Sequence, residues 1–263
     1  MKITLLTSNN IRHNYLVNIL SEVCDELFVL QEITSIFSST NFSNDESDII
    51  FKKYFKQVQN AQEYFFGKTH IKSKKSITIF NIKRGNLNQL NLTKIKNFLE
   101  SDLYIVFGSS YIKGDLVEFL IKNKAINIHM GVSPYYRGCD CNFWAIKDGN
   151  PHLVGATIHM LTDGLDNGSI LYHSISEYHE NPFIYTMSTV KSAFLSLKER
   201  LLDNSILQIN PEEQKKNLEI RYSKKKDFTT AAAEDFMQNC KHNKFSHNFE
   251  LLKDPFLLKE KNF

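Results

Sequence analysis

Apolar residues in the first half of the chain recur in blocks that alternate between strand-like and helical spacing. Strands are predicted at Lys2–Thr7, Glu26–Gln31, Ser76–Phe80, Leu103–Phe107 and Ala125–His129. Apolar positions at helical spacing predict helices at Tyr15–Val23, Ile49–Phe66 and Leu92–Leu99. This alternation predicts an α/β fold, a Rossmann-like and mostly parallel sheet with right-handed crossovers, flanked by helices.

The second half continues with two strands and a long helix. Val154–Leu161 and Ser169–Ser174 are predicted strands, joined by the turn-rich Thr162–Gly168. Asn181 followed by Pro182 predicts the start of a helix. After it the composition becomes more polar, so we expect a catalytic domain over residues 1–204 and a small C-terminal subdomain over 205–263. The Ser/Thr/Asn-rich segment 34–47 is predicted to be a mobile loop.

Composition and charge narrow the class of protein. The 263 residues are 42% hydrophobic and 23% charged, as in ordinary globular proteins, and the net charge of +3 does not require a nucleic-acid partner. We see neither an amino-terminal leader nor an apolar run of the ~20 residues that span a bilayer, so we expect a cytoplasmic protein without membrane insertion. The four cysteines are few and unevenly placed, which favours reduced thiols.

Ligands of open parallel sheets bind at the carboxyl ends of the strands. Two strand exits contain small residues, Gly108–Ser110 and Met130–Gly131. The chain has no Gly-x-Gly-x-x-Gly after its first strand and no Walker-type motif, which argues against a dinucleotide or P-loop cofactor. Asn127 and His129 are two residues apart in a predicted strand, so their side chains face the same side. Taken alone, this pair fits a structural hydrogen-bonding role as well as a catalytic one.

The segments Asn127-x-His129, Thr157-x-His159 and Asp166-x-Gly168 form three ordered motifs, and together they resemble those of the folate-dependent formyltransferases. Residues 127–138 read Asn-Ile-His-Met-Gly-Val-Ser-Pro-Tyr-Tyr-Arg-Gly, and they are followed by Gly-Ala-Thr-Ile-His at 155–159 and Asp-Asn-Gly at 166–168. The family signature is Asn-x-His-Pro-Ser-x-Leu-Pro, an aromatic residue, Arg or Lys, and Gly, with a downstream Asp-x-Gly. The segment 106–112 is similar to the family's folate-side strand and loop. The chain departs from the pattern at residues 130–133, which leaves open the shape of the wall beside the formyl group.

The resemblance implies an enzyme that uses N10-formyltetrahydrofolate as co-substrate and no metal. Formyl transfer needs an oxyanion donor and a proton carrier. Asn127 would donate to the oxyanion, His129 would move the proton, and Asp166 would orient the imidazole or accept the amine's proton. The alternative for Asp166 is ordinary turn chemistry. The predicted folate-binding residues are Phe107, Gly108, Ser109, Tyr111 and Ile112.

Further residues are expected to support this site. Thr157 and His159 match a family strand that braces the catalytic group, although a buried structural histidine would look the same. Substrate-binding roles are predicted for Asn9, Arg12, His13 and Arg137. The first three follow the first strand, where phosphates could meet a helix N-terminus. The alternatives are that residues 8–9 only cap the helix with Arg12 solvated, and that Arg137 pins its loop.

The acceptor is predicted from size and from the first turn. Methionyl-tRNA formyltransferases generally carry a larger carboxyl-terminal barrel than the roughly 60 residues after Asn204, and the Gly-rich first turn of glycinamide ribonucleotide formyltransferases is absent. The pattern is most similar to nucleotide-sugar N-formyltransferases. These formylate an amino-dideoxy sugar for surface polysaccharides such as the lipopolysaccharide O-antigen. Methionyl-tRNA or another amine, and hydrolysis as in formyltetrahydrofolate deformylase, stay open as alternatives, as does a homodimer. No nucleic-acid partner is expected.

Overall fold

The computed structural model describes residues 1–33, 46–239 and 255–258. Its strands are β1 Lys2–Ser8, β2 Glu26–Ile33, β3 Ile77–Lys83, β4 Leu103–Val106, β5 Ile126–His129, β6 Tyr136–Gly138, β7 Ala156–Met160, β8 Ile170–Ser176, β9 Arg221–Ser223 and β10 Phe256–Leu258. Its α-helices are α1 Ile11–Leu20, α2 Glu46–Phe66, α3 Asp115–Lys122, α4 Cys141–Lys147, α5 Pro182–Leu202 and α6 Thr230–Asn239.

A single large sheet organises the molecule. Within the described residues it has eight strands in the order β10-β8-β7-β5-β4-β1-β2-β3. Strands β3, β2, β1, β4 and β5 are mutually parallel, as the alternating pattern predicts. The central strand β1 is buried at every position after Lys2 because helices cover both faces of the sheet.

The sheet changes direction at β7, which is antiparallel to both β5 and β8. The sheet as a whole is mostly parallel, as predicted, but the two strand pairings made by β7 are antiparallel. The connection from Met160 to Ile170 is too short for a crossover, so β7 and β8 can only be antiparallel neighbours. The reversal also places the start of β7 beside the end of β5.

Helices on the two faces bury two hydrophobic clusters. Helices α1, α2 and α5 pack against one another on one face, where aromatic residues such as Phe66 and Phe194 are buried. Asn181 caps α5 by accepting hydrogen bonds from the backbone of Phe183 and Ile184, as the Asn-Pro pair predicts. The other face is covered by α3 and by a 3-10 segment, Leu92–Phe98.

Two local predictions need correction or fall outside the described structure. The predicted helix Leu92–Leu99 is a 3-10 segment with a kink at Ile95, where φ is −110° and ψ is 21°. The predicted loop 34–47 lies outside the described residues, except that its last two residues already belong to α2.

Described parts of the C-terminal region pack onto the rest of the chain. β9 pairs in parallel with β6, α6 packs against α2, and β10 pairs in parallel with β8 at the edge of the large sheet. The boundary between residues 204 and 205 stays a prediction. No described helix has the length and apolar character needed to cross a membrane.

Candidate active site

Four polar side chains come from two adjacent strands. In the antiparallel register of β5 and β7, Asn127 lies opposite His159 and His129 lies opposite Thr157. Directly opposed residues of an antiparallel pair project to the same face of the sheet. The turn between β7 and β8 then brings Asp166 to this group. The structure thus gathers the three predicted catalytic residues and their two predicted supports.

Asp166 occupies a left-handed backbone conformation with φ of +49°. Its carboxylate accepts from the amide of Asn127 at 3.3 Å and from the backbone N–H of Gly138 at 3.3 Å, and it lies 3.3 Å from His129 Nδ1. Burial tends to raise the pKa of Asp166, but the attraction of His129 and His159 in their protonated forms and the hydrogen bond from Gly138 outweigh it, so the pKa is lowered. Asp166 is therefore a buried carboxylate that is kept ionised.

His129 is 6% exposed, and both of its ring nitrogens face oxygen atoms. Nδ1 faces Asp166, and Nε2 lies 3.1 Å from the carbonyl oxygen of Tyr136. Burial lowers the pKa of His129, against the opposing effect of Asp166. The neutral ring can donate to only one of the two oxygens, whereas the imidazolium can donate to both. The site therefore holds a neutral histidine in surroundings already arranged for its protonated form.

His159 contacts the Asn127 side chain, and Thr157 contacts the backbone of the loop that follows His129. The Met160 carbonyl accepts from His159 Nδ1 at 2.8 Å, so Nε2 carries the lone pair and accepts from the Asn127 amide at 3.1 Å. The Thr157 hydroxyl donates to the carbonyl of Gly131 at 2.6 Å and accepts from the backbone of Ser133 at 2.8 Å. This geometry agrees with the supporting roles, which stay predictions.

The departure from the family signature at residues 130–133 has a visible consequence at Gly131. A Cβ atom on this residue would lie 2.6 Å from His129 Nε2 and 2.5 Å from the Cβ of Cys141. The wall beside the imidazole therefore has no room for the serine side chain of the common pattern.

A cavity of about 1280 Å³ opens onto this group of residues. Arg12 lines it and donates to Gln62 at 3.2 Å, and burial lowers the pKa of its guanidinium while the nearby Asp140 opposes this. Among the described residues Arg12 has no ion-pair partner. Asn9 and Asp140 also line the cavity, so its α1 side presents the guanidinium of Arg12 with a carboxylate nearby.

His13 and Arg137 are more constrained than the sequence indicates. His13 is 2% exposed, and its Nδ1 accepts from the backbone N–H of Ser8 at 3.2 Å, which places the ring proton on Nε2. Burial lowers the pKa of His13 well below its ordinary value. Its ring lies so close to Gly108 that a Cβ there would be 2.3 Å from Cε1. Arg137 donates to the Leu165 carbonyl at 2.9 Å and pairs with Glu219 at 2.7 Å, as in the loop-pinning alternative.

The predicted folate loop lies between two cavities. Phe107, Gly108 and Ser109 line the large cavity. Tyr111 and Ile112 line both it and a smaller cavity of about 620 Å³ that extends to α3. The Tyr111 hydroxyl donates to the Asp163 carbonyl at 2.6 Å and links this loop to the turn that carries Asp166.

Two residues that the sequence reasoning missed hold the loops of this site. Glu32, at the carboxyl end of β2, is 1% exposed and accepts hydrogen bonds from Ser110 and Gly85. The sequence signal for Glu32 is its acidic side chain at the carboxyl end of a buried strand. Gln214 donates to backbone carbonyls of the Asp166 turn, and nothing in its local sequence marks it. The described residues contain no group of three or more side chains arranged to hold a metal ion.

Comparison with known proteins identifies the family of this chain. The family described as formyl transferase matches residues 52–206, more than half of the chain, so the protein belongs to the formyl transferase family and is an enzyme of that class. It is 28% identical over 156 residues to the bifunctional polymyxin resistance protein ArnA of Wigglesworthia glossinidia brevipalpis, covering 57% of this chain and 23% of the relative. It is 28% identical over 154 residues to a methionyl-tRNA formyltransferase of Prochlorococcus marinus subsp. pastoris, covering 59% and 44%. The chain thus spans less than half the length of these curated relatives.

Solved structures show the same fold. A 4-N formyltransferase from Francisella tularensis superposes with a TM-score of 0.52 at 19% identity, covering 94% of this chain and 90% of that one. A phosphoribosylglycinamide formyltransferase from Anaplasma phagocytophilum gives 0.51 at 15% identity, covering 79% and 88%.

Proposed function

We propose that this formyltransferase moves the formyl group of N10-formyltetrahydrofolate to the primary amine of a nucleotide-linked amino-dideoxy sugar, as a cytoplasmic step in surface polysaccharide synthesis. One observation carries the proposal. Asn127, His129 and Asp166 meet within hydrogen-bonding reach at a cavity that also contains the folate loop and the positive end of α1. This arrangement supports formyl transfer between a donor bound at the loop and an anionic acceptor bound at the α1 side.

The reaction needs a neutral amine to attack the formyl carbon. The new C–N bond forms as the carbonyl oxygen takes up negative charge, and the C–N10 bond then breaks. The proton lost by the amine ends on N10 of the folate. In this site Asn127 is the candidate donor to the oxyanion, and its amide must turn from Asp166 or His159 to reach it.

His129 is suited to carry the proton between the two nitrogens. Its lowered pKa keeps the resting ring neutral and able to accept a proton. Once protonated, the ring would donate to both Asp166 and the Tyr136 carbonyl, so the intermediate charge is stabilised without rearrangement of the site. Direct transfer to the substrate requires the contact between Nε2 and Tyr136 to open.

The formyl donor is proposed to lie along residues 107–112. Its pteridine would hydrogen-bond to backbone groups of this loop, and the smaller cavity beside Tyr111 gives space for a flat bicyclic ring. Because Tyr111 also contacts Asp163, the same loop would place the formyl group near Asp166.

The acceptor is proposed to enter from the α1 side. Helix α1 has no acidic residue in its first turn, and within the described residues the Asn10 side chain makes no capping hydrogen bond, so the N-terminal N–H groups of α1 can face an anion. Arg12 and Arg84 add positive charge to the wall of the same cavity. A sugar diphosphate bound there would direct its sugar toward Asn127 and His129.

A second acceptor follows from the sequence relatives, since methionyl-tRNA formyltransferases are among them. An aminoacyl-tRNA also has a primary amine and phosphates. Water in place of the amine would give a deformylase with the same three residues.

A mass-spectrometric screen tests these possibilities together. The full chain is incubated with N10-formyltetrahydrofolate and a panel of nucleotide-linked amino sugars, with methionyl-tRNA, or with buffer alone. We expect one nucleotide sugar to gain the mass of one formyl group. Formylation of methionyl-tRNA alone would contradict the acceptor class, and release of formate in buffer at the same rate would identify a deformylase.

A further inference from the structure

Gln214 reaches from the C-terminal region to the turn that carries Asp166. Its Nε2 donates to the carbonyl oxygen of Asp166 at 3.0 Å and to that of Gly168 at 2.8 Å. The contacts span 48 and 46 residues, and Gln214 lies beyond the part of the chain that matches the family. One amide group thus joins the two residues on either side of Asn167.

The segment that carries Gln214 is itself held in register on the large sheet. Glu212 and Ile170 exchange two backbone hydrogen bonds, at 2.7 and 2.9 Å. The amide of Gln214 therefore starts from a fixed backbone next to β8. Glu219, a few residues later, pairs with Arg137, and Arg137 in turn donates to the Leu165 carbonyl of the same turn.

The turn needs such support because its backbone is unfavourable. The left-handed conformation of Asp166 is unfavourable for a residue with a side chain, and it persists only where neighbouring groups determine it. On the other side, Gly168 lies so close to strand β7 that a Cβ would be 1.7 Å from the Met160 carbonyl. The turn is therefore bounded by β7 on one side and by Gln214 on the other.

We propose that Gln214 is a positioning residue that holds the Asp166 carboxylate against His129 by binding the backbone on both sides of Asn167. The inference rests on the proposed formyl transfer, and it assigns a role in the site to the C-terminal region. Gln214 acts only through Asp166. The amide is neutral, so it fixes the position of the carboxylate without adding a charge that would change its ionisation.

The test compares Gln214→Met with Gln208→Met. Methionine keeps the length of the side chain and removes the donor, and Gln208 is an exposed residue of the same region. For Gln214→Met we expect kcat to fall by roughly 10- to 100-fold with the KM for both substrates changed less than about twofold, since a misplaced group reduces the chemical step. Gln208→Met should match the wild type.

Two further measurements separate positioning from a general structural effect. In an Asp166→Asn background, Gln214→Met should cause no further loss of kcat, because the residue that it positions no longer functions. In the unliganded protein, NMR titration should show the pKa of His129 lower in Gln214→Met than in the wild type, since Asp166 raises it. An unchanged kcat, an additive loss in the double variant or an unchanged His129 pKa would each overturn the proposal. If no acceptor is formylated by the wild type, the proposed function fails while the titration still tests Gln214.

Discussion

The carboxylate of Glu32 accepts both the backbone N–H of Ser110, at 2.6 Å, and its hydroxyl, at 2.7 Å. The two residues are separated by 78 positions, and the same carboxylate accepts the backbone N–H of Gly85 at 2.7 Å. A buried charge with three donors is strongly held. The end of β2 therefore fixes the middle of the proposed folate loop.

Glu32→Gln should weaken binding of the formyl donor. The glutamine side chain replaces one accepting oxygen with an NH2 donor, which then faces another N–H group. The lost hydrogen bond costs on the order of 1 kcal/mol or more of folate binding, and this corresponds to roughly a tenfold rise in the KM for the folate. We expect kcat to stay near the wild-type value. Steady-state kinetics with varied folate checks this, and Glu26→Gln at the exposed start of the same strand is the control. An unchanged folate KM would show that Glu32 does not order the loop.

His129→Asn should remove most of the turnover while the protein remains folded. Loss of a proton carrier reduces kcat by about 100-fold or more. The matched control is His70→Asn, since the side chain of His70 is exposed. Single-turnover formylation measures the rate, and a thermal shift with a folate analogue shows that the donor site is intact. A folded variant with most of the wild-type rate would exclude His129 from catalysis.

Arg12→Ala should raise the KM for the nucleotide sugar with little change at saturation, because a phosphate contact remote from the reacting amine stabilises ground and transition states equally. The rise should be about tenfold, the size expected for a hydrogen bond to a charged group. Arg12→Lys keeps the charge and should lose less. Equal kinetics for Arg12→Ala and wild type would place the phosphates elsewhere.

The stability of the fold should decrease below neutral pH because of His173. Its Nε2 donates to the Ser133 carbonyl at 2.9 Å, and its Nδ1 is buried with no hydrogen-bond partner among the described residues. Burial lowers the pKa of His173 to about 4. In the unfolded chain His173 has a pKa of about 6.5 and binds a proton more readily than in the folded protein. The contribution of neutral His173 to the free energy of unfolding is therefore fully present above pH ~6.5 and is lost as the pH falls toward 4. At about 1.4 kcal/mol per pH unit, the interval from 6.5 to 5 costs roughly 2 kcal/mol.

Urea unfolding at pH values of about 7.5 and 5 measures this loss. In His173→Gln, which keeps a donor for Ser133, the difference between the two pH values should shrink by roughly 2 kcal/mol. Burial also lowers the pKa of His13, so a pH dependence in the same direction should remain in this variant. The same pH dependence in variant and wild type would mean that His173 is already charged when folded.

Much of the fold could be predicted from periodicity, because the parallel strands are buried on both faces and read as apolar blocks between helices. The reversal at β7 could not be predicted from the strand itself. Only the antiparallel pairing of β7 with β8 follows from the sequence, because the turn around Asp166 is too short for a crossover. The 3-10 segment Leu92–Phe98 was also missed, since its apolar spacing over seven residues does not distinguish it from an α-helix.

For the site, the motifs identified Asn127, His129 and Asp166, which the structure brings together, although their catalytic roles stay predictions. Glu32 and Gln214 could not be placed in the same way. Their partners are backbone groups tens of residues away, and a backbone hydrogen bond has no sequence signature of its own. The pinning of Arg137 depends in the same way on Glu219, on a separate segment.

The antiparallel step between β5 and β7 has a consequence for how this enzyme can diverge. It sets Asn127 across from His159 and His129 across from Thr157, so each of the two motif residues has a fixed partner on another strand. A substitution at Asn127 or His159 leaves the other residue with an unpaired donor or acceptor. Where position 127 or 159 does change among relatives of this protein, the other position should change with it, whereas exposed positions of β3 should vary independently.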